Sequence, residues 1–108
     1  MSFERACGTG DVTSGEAIAV TVDGVEIAVV HTEGDDWYAI YDECSHAAIA
    51  LSEGDVEGCE IECWLHGSRF DLRTGKPTGL PATEPVPIYP VQVDGGDVLV
   101  DVHAPTEA

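Results

Sequence analysis

The chain has 108 residues, and its 44% hydrophobic content suits one domain with one core. Against 21 acidic residues stand only Arg5, Arg69, Arg73 and Lys76, and the resulting net charge of −17 repels nucleic acid and anionic membrane. No apolar run approaches the roughly 20 residues that span a bilayer, and Met1–Arg5 lacks the apolar core of a secretory signal, so a cytoplasmic protein is expected.

Phe3 to Cys7 reads as an edge strand. Ala17–Val22 and Val25–His31 flank Asp23-Gly24, a pair whose tolerance of positive φ marks a two-residue hairpin turn. Trp37–Tyr41, aromatic and branched, is the next strand. Residues 43–85 differ from both ends: short strands around Val56-Glu57 and Cys59–Glu62 separate two loops, and the Pro/Gly-rich stretch Thr78–Pro85 closes the segment. Ile88–Val93 and Asp97–Val102 then flank Asp94-Gly95-Gly96, a second hairpin, with Pro90 marking an edge position or a bulge. No segment of ten or more residues carries a helical apolar period. The expected fold is all-β: one domain over 1–108, with an antiparallel base (1–42 and 86–108) and a small inserted lobe (43–85).

The chemistry concentrates in the inserted lobe. Cys44-Ser-His46 and Cys63-Trp-Leu-His66, with sixteen residues between His46 and Cys63, make a complete four-ligand metal set. Two thiolates and two imidazoles suit either a [2Fe–2S] cluster or a single zinc. Zinc fingers usually segregate the two cysteines from the two histidines and carry the latter on a helix, whereas each pair here is mixed, which favours the cluster. Gly67 gives the second loop the freedom to fold close to such a group. Trp64 and Leu65 either form an apolar rim or pack beneath that loop. Cys7 and Cys59, in strand-like stretches, read as small buried hydrophobes and not as a disulfide. His31 and His103 read as surface residues, and Asp35-Asp36, Glu60 and Glu62 as solvated faces. Arg69, Arg73 and Lys76 form one basic patch, open to docking or to local ion pairs.

The run from Cys44-Ser-His46 to Cys63-Trp-Leu-His66-Gly67-Ser68-Arg69-Phe70-Asp71, continuing to Thr74-Gly75, resembles the Rieske motif: C-x-H, then C-x-x-H-G. Its tail and the following Pro loop are similar to those of bacterial Rieske-type ferredoxins of ring-hydroxylating oxygenase systems, and the likeness covers nearly the whole chain. It implies a β-sandwich base with a cluster-binding β lobe, and one Rieske-type [2Fe–2S] cluster. Cys44 and Cys63 would hold the inner iron and His46 and His66 the outer one, with Leu80 and Pro81 in a third covering loop. Respiratory-chain members add a cysteine to each ligand loop, absent here. Ser68 matches a hydroxyl donor to a bridging sulfide, while Phe70 stands where high-potential members place a tyrosine. With that donor missing, a potential nearer roughly −150 than +300 mV is expected.

The resemblance further implies a one-electron carrier, with no substrate-turnover site of its own, between a flavoprotein reductase and a terminal oxygenase. Docking would be transient and electrostatic, and the carrier a monomer. Alternatives are the small subunit of an assimilatory nitrite reductase and a zinc-stabilised structural module.

Overall fold

The computed structural model describes residues 3–43, 50–63, 67–78 and 84–105. Ten strands lie among them: β1 (Glu4–Gly8), β2 (Glu16–Val22), β3 (Val25–His31), β4 (Trp37–Tyr41), β5 (Asp55–Glu57), β6 (Glu60–Glu62), β7 (Arg69–Asp71), β8 (Ile88–Tyr89), β9 (Val91–Asp94) and β10 (Asp97–Val100). The only described helical pieces are the 3-10 turns Thr9–Asp11 and Leu51–Glu53, and no described helix is long and apolar enough to cross a membrane.

Asp23 and Gly24, at φ of 48° and 80°, reverse the chain so that β2 and β3 pair from Glu16 opposite His31 to Val22 opposite Val25. Two positive φ values in a row match the right-handed twist of the flanking strands, and Asp and Gly tolerate them. β4 joins the other side of β3 and β8 completes a four-stranded antiparallel sheet in the order β2-β3-β4-β8.

β3 is apolar without alternation, and Ile27, Ala28, Val29 and Val30 are all fully buried. Such a strand must be covered on both faces. Ala28 and Val30 pack with Ile40, Leu51, Ile61 and Phe70, on the side of the sheet β5-β6-β7. Ile27 and Val29 pack with Cys7, Val98 and Val100, on the side of the sheet β1-β10-β9. The result is three antiparallel layers with the long hairpin in the middle.

The expected all-β fold is what forms, with β1 at an edge. One expected strand divides. Ile88-Tyr89 pairs with β4, whereas Val91–Asp94 pairs with β10, so the chain changes sheets at Pro90. Proline has no N–H to donate to either ladder, which makes it a natural place for the crossing. β10 ends at Val100, two residues short of the expected Val102, although Val102 stays buried. Cys7 is buried and Cys59 half-buried, and both are free thiols, in keeping with their reading as small hydrophobes.

His31 departs from its expected surface position, because its cross-strand partner is Trp37. The two rings stack with centroids 4.0 Å apart and 11° between planes, leaving the histidine side chain 14% exposed. Nδ1–H donates to the Val12 carbonyl at 3.0 Å and Nε2–H to the Asp35 carboxylate at 2.6 Å. Both ring nitrogens face acceptors, so only the imidazolium satisfies both. Burial opposes that charge, but the bonds to Asp35 and Val12 outweigh it and raise the pKa above its ordinary 6.5.

A group charged more readily when folded adds stability that is fully present below its unfolded pKa and lost as pH rises through the folded one. His31 is therefore expected to contribute up to about 1 kcal/mol below pH about 6.5. That contribution fades on the alkaline side, and His31→Ala flattens this part of the profile. Denaturant midpoints across pH, read beside an NMR titration of the His31 ring, check it. An identical pH dependence in wild type and variant would contradict it.

Candidate metal centre

Cys63 follows directly on β6, and Ser68 directly precedes β7, where Glu62 pairs with Arg69. The Cys63 N–H donates to the Ser68 carbonyl at 2.6 Å, and the Gly67 N–H donates back to the Cys63 carbonyl at 2.9 Å. Gly67 sits at φ 75°, a conformation glycine adopts at no steric cost. The described residues on either side of 64–66 are thus tied together by backbone bonds.

Cys63 is fully buried. It shares a core with Leu51, Ile61, Phe70, Leu72 and Val86. Ser68 and Phe70 are fully buried as well. A soft sulfur donor in a dry apolar shell, with a buried hydroxyl and a closed glycine turn beside it, fits the inner side of an iron–sulfur cluster.

Two further closures flank this one. Asp42, just past β4, accepts from the Ser52 N–H at 2.7 Å and the Ser52 hydroxyl at 2.8 Å, across the segment holding Cys44 and His46. Gly75 takes φ 78° and its carbonyl accepts from the Val86 N–H at 2.9 Å, across the segment holding Leu80 and Pro81. A Cβ on Gly75 would collide with the Val86 carbonyl oxygen, so only glycine allows this approach.

Of the residues singled out from sequence, Cys63, Gly67, Ser68 and Phe70 are brought together as described. Cys44, His46, Trp64, Leu65, His66, Leu80 and Pro81 lie outside the described residues. The Asp42–Ser52 pair was missed. Its only sequence signal is a carboxylate two residues before Cys44 and a hydroxyl at the 3-10 turn, residue types that commonly cap backbone N–H groups.

Two of the three residues of the basic patch, Arg69 and Arg73, form local ion pairs. Arg69 lies 3.0 Å from Glu62, 3.6 Å from Glu57 and 3.7 Å from Glu60, on the face of β5-β6-β7 opposite Phe70. Arg73 grips Asp71 through two nitrogens, at 3.2 and 3.1 Å. That bond holds the Asp71 carboxyl below its ordinary 3.8, although burial works against it. Glu60 and Glu62 are therefore ion-paired and not simply solvated.

These features define a class: an all-β domain of three antiparallel layers with a buried cysteine at a turn closed by backbone bonds. The chain belongs to the Rieske [2Fe-2S] domain family, which matches residues 2–90. The family's cofactor is a Rieske-type [2Fe–2S] cluster, and this supersedes the zinc alternative.

The chain is 43% identical over 103 residues to the 3-phenylpropionate/cinnamic acid dioxygenase ferredoxin subunit of Escherichia coli K12, covering 94% of this chain and 95% of that protein. Over 102 residues it is 40% identical to the biphenyl dioxygenase ferredoxin subunit of Pseudomonas sp. KKS102, at 94% and 93% coverage. Among solved structures, the ferredoxin of carbazole 1,9a-dioxygenase from Nocardioides aromaticivorans IC177 matches with TM-score 0.86 and 44% identity, over 93% of this chain and 97% of that one. A ferredoxin–oxygenase complex of carbazole 1,9a-dioxygenase matches with TM-score 0.82 and 36% identity, over 91% of each chain. Small subunits described as putative nitrite reductase components, at 18% and 21% identity, share the fold alone.

Arg69 sits among three carboxylates. Arg69→Ala is therefore expected to lower stability by about 1 kcal/mol at low ionic strength, with most of the loss recovered near 1 M salt, where the Debye length falls to roughly 3 Å. Urea midpoints at the two salt concentrations measure this. A loss independent of salt would assign Arg69 a packing role instead.

Proposed function

We propose that this chain is the ferredoxin of a ring-hydroxylating oxygenase system, taking one electron from a flavoprotein reductase and passing it to the terminal oxygenase. The observation that carries this reading is the dry Cys63–Ser68 turn, set in a chain that matches ferredoxin subunits of dioxygenases over nearly their whole length. The solved complex of a similar ferredoxin with its oxygenase supports the oxygenase as partner. The reductase, a monomeric state and a cytoplasmic location complete the proposal, with 1–42 and 86–108 as base and 43–85 as the cluster-binding lobe.

Cys44, His46, Cys63 and His66 are the proposed ligands, the cysteines for the inner iron and the histidines for the outer one. When bound, the cluster supplies a reversible one-electron couple whose potential imidazole ligation raises above that of all-cysteine ferredoxins. Cys63 holds its sulfur away from water, and buried Leu51, Ile61 and Phe70 keep the surroundings of low dielectric. Ser68, fully buried, is the proposed hydroxyl donor, and buried Phe70 supplies volume without a second donor. Trp64, Leu65, Leu80 and Pro81 are the proposed apolar cover. The −17 charge steers the carrier toward basic patches on both partners, and this attraction weakens with salt, as transient docking requires.

The test is electron paramagnetic resonance of the reduced protein together with a redox titration. The expected signal has a lower average g than that of all-cysteine clusters, and the expected midpoint lies nearer roughly −150 than +300 mV. Ser68→Ala should lower the midpoint by roughly 40 mV and Phe70→Tyr raise it by a similar amount, the equivalent of about 1 kcal/mol for one hydrogen bond in a one-electron couple. A clearly positive wild-type midpoint would refute the low-potential assignment, and a colourless protein holding stoichiometric zinc would refute the function.

A further inference from the structure

We propose that Asp42 is a positioning residue for the loop carrying Cys44 and His46, and that it acts through Ser52. The inference rests on the ligand assignment above and adds a residue outside the motif.

The geometry is that of a clasp. Asp42 is fixed from behind, because its N–H donates to the Glu26 carbonyl at 3.1 Å where β3 begins. Its two carboxylate oxygens divide the work: Oδ1 accepts from the Ser52 N–H at 2.7 Å and Oδ2 from the Ser52 hydroxyl at 2.8 Å. Both bonds are part-buried, and a carboxylate acceptor makes them stronger than neutral ones.

Ser52 is anchored in turn. It lies in the 3-10 turn Leu51–Glu53, whose Leu51 is fully buried in the same core as Cys63. The Gly54 N–H donates to the Leu51 carbonyl at 2.9 Å, and a Cβ on Gly54 would collide with the Glu62 carbonyl oxygen, one residue before Cys63. The clasp thus joins the end of β4 to a turn seated against the base of the other ligand loop. Asp42 and Ser52, which bound the chain segment that includes Cys44 and His46 in sequence, are thereby held at fixed separation.

Fixed ends limit the conformations open to the loop, and so the positions its ligands sample. Weakening them should let the ligands spread in geometry and the metal escape sooner. A carboxylate suits the task because it presents two acceptors in one plane.

The experiment compares holoproteins of wild type, Asp42→Ala, Ser52→Ala and the double variant. Ser52→Ala leaves the charge unchanged and is the milder change should Asp42→Ala assemble poorly. The readouts are the g values of the reduced protein, the rate of bleaching by a ferrous chelator, and the thermal midpoint. Asp42→Ala is expected to bleach about tenfold faster with broadened g values, Ser52→Ala about threefold faster, and the double variant no faster than Asp42→Ala. Asp42→Asn, which can still accept from the Ser52 N–H, should recover much of the loss.

Unchanged g values and bleaching in Asp42→Ala, with only a lower thermal midpoint, would overturn the proposal. So would additive effects in the double variant, since Asp42 would then not act through Ser52. If wild type itself lacks a Rieske signal, the ligand assignment fails. If wild type shows the signal and every variant matches it, only the clasp fails.

Discussion

Burial of β3 on both faces is the constraint from which the rest of the structure follows. Four consecutive apolar residues, Ile27 to Val30, cannot leave either face of their sheet to water. Each such valine or isoleucine contributes roughly 1.5–3 kcal/mol when buried, so a layer is required above and below. One layer is the sheet of β1, β10 and β9, brought together from the two ends of the chain. The other is the sheet of β5, β6 and β7, and this second layer explains why the site is where it is. The residues that cover Ala28 and Val30 include Ile61, Phe70 and Leu51, and the same packing buries Cys63 among them. The dryness of the Cys63 sulfur is a consequence of covering the central strand.

Charge is organised around that dry core. With only four basic residues in the chain, each one matters, and three are used locally. Arg5 pairs with Asp97 at 2.8 Å, Arg69 with the carboxylates of the lobe, and Arg73 with Asp71. Lone surface pairs of this kind add little stability. Their larger effect is to relieve repulsion where strand pairing forces acids together, as at Glu57 opposite Glu60 and Glu60 opposite Asp71. The remaining acids set a strongly negative exterior that any electron-transfer partner meets first.

Much of this was legible in the sequence, for a specific reason. Asp23-Gly24 announced a hairpin because few residues tolerate two positive φ values in succession, and Cys63-x-x-His66-Gly67-Ser68 pointed to the Rieske family because its residue types are tied to that family's chemistry. Both signals are local. What could not be read depends on residues brought together by the fold. The approach of Trp37 that covers His31 is set by strand register. The change of sheet at Pro90 was visible as an interruption, but alternation looks the same whichever sheet a strand joins. The pairing of Asp42 with Ser52 spans ten residues and obeys no periodicity. The choice between docking and ion pairing at Arg69 was open for the same reason, since Arg69 meets Glu57 and Glu60 only through the pairing of β5, β6 and β7.

The three closures suggest why a domain this small can hold a metal centre without help. Each ligand or covering segment begins and ends on strands or turns of the buried layers, and each is tied at its neck: by Asp42 to Ser52, by Cys63 to Ser68 and Gly67, and by Gly75 to Val86. A neck tied by backbone or bidentate bonds confines the loop ends without specifying the residues at its tip. The separation of the two ends of each such segment therefore depends on its neck, and the proposed ligands and cover residues lie between those ends. Polar groups just outside a ligand motif, such as Asp42, are then where control of the centre can reside without touching the metal.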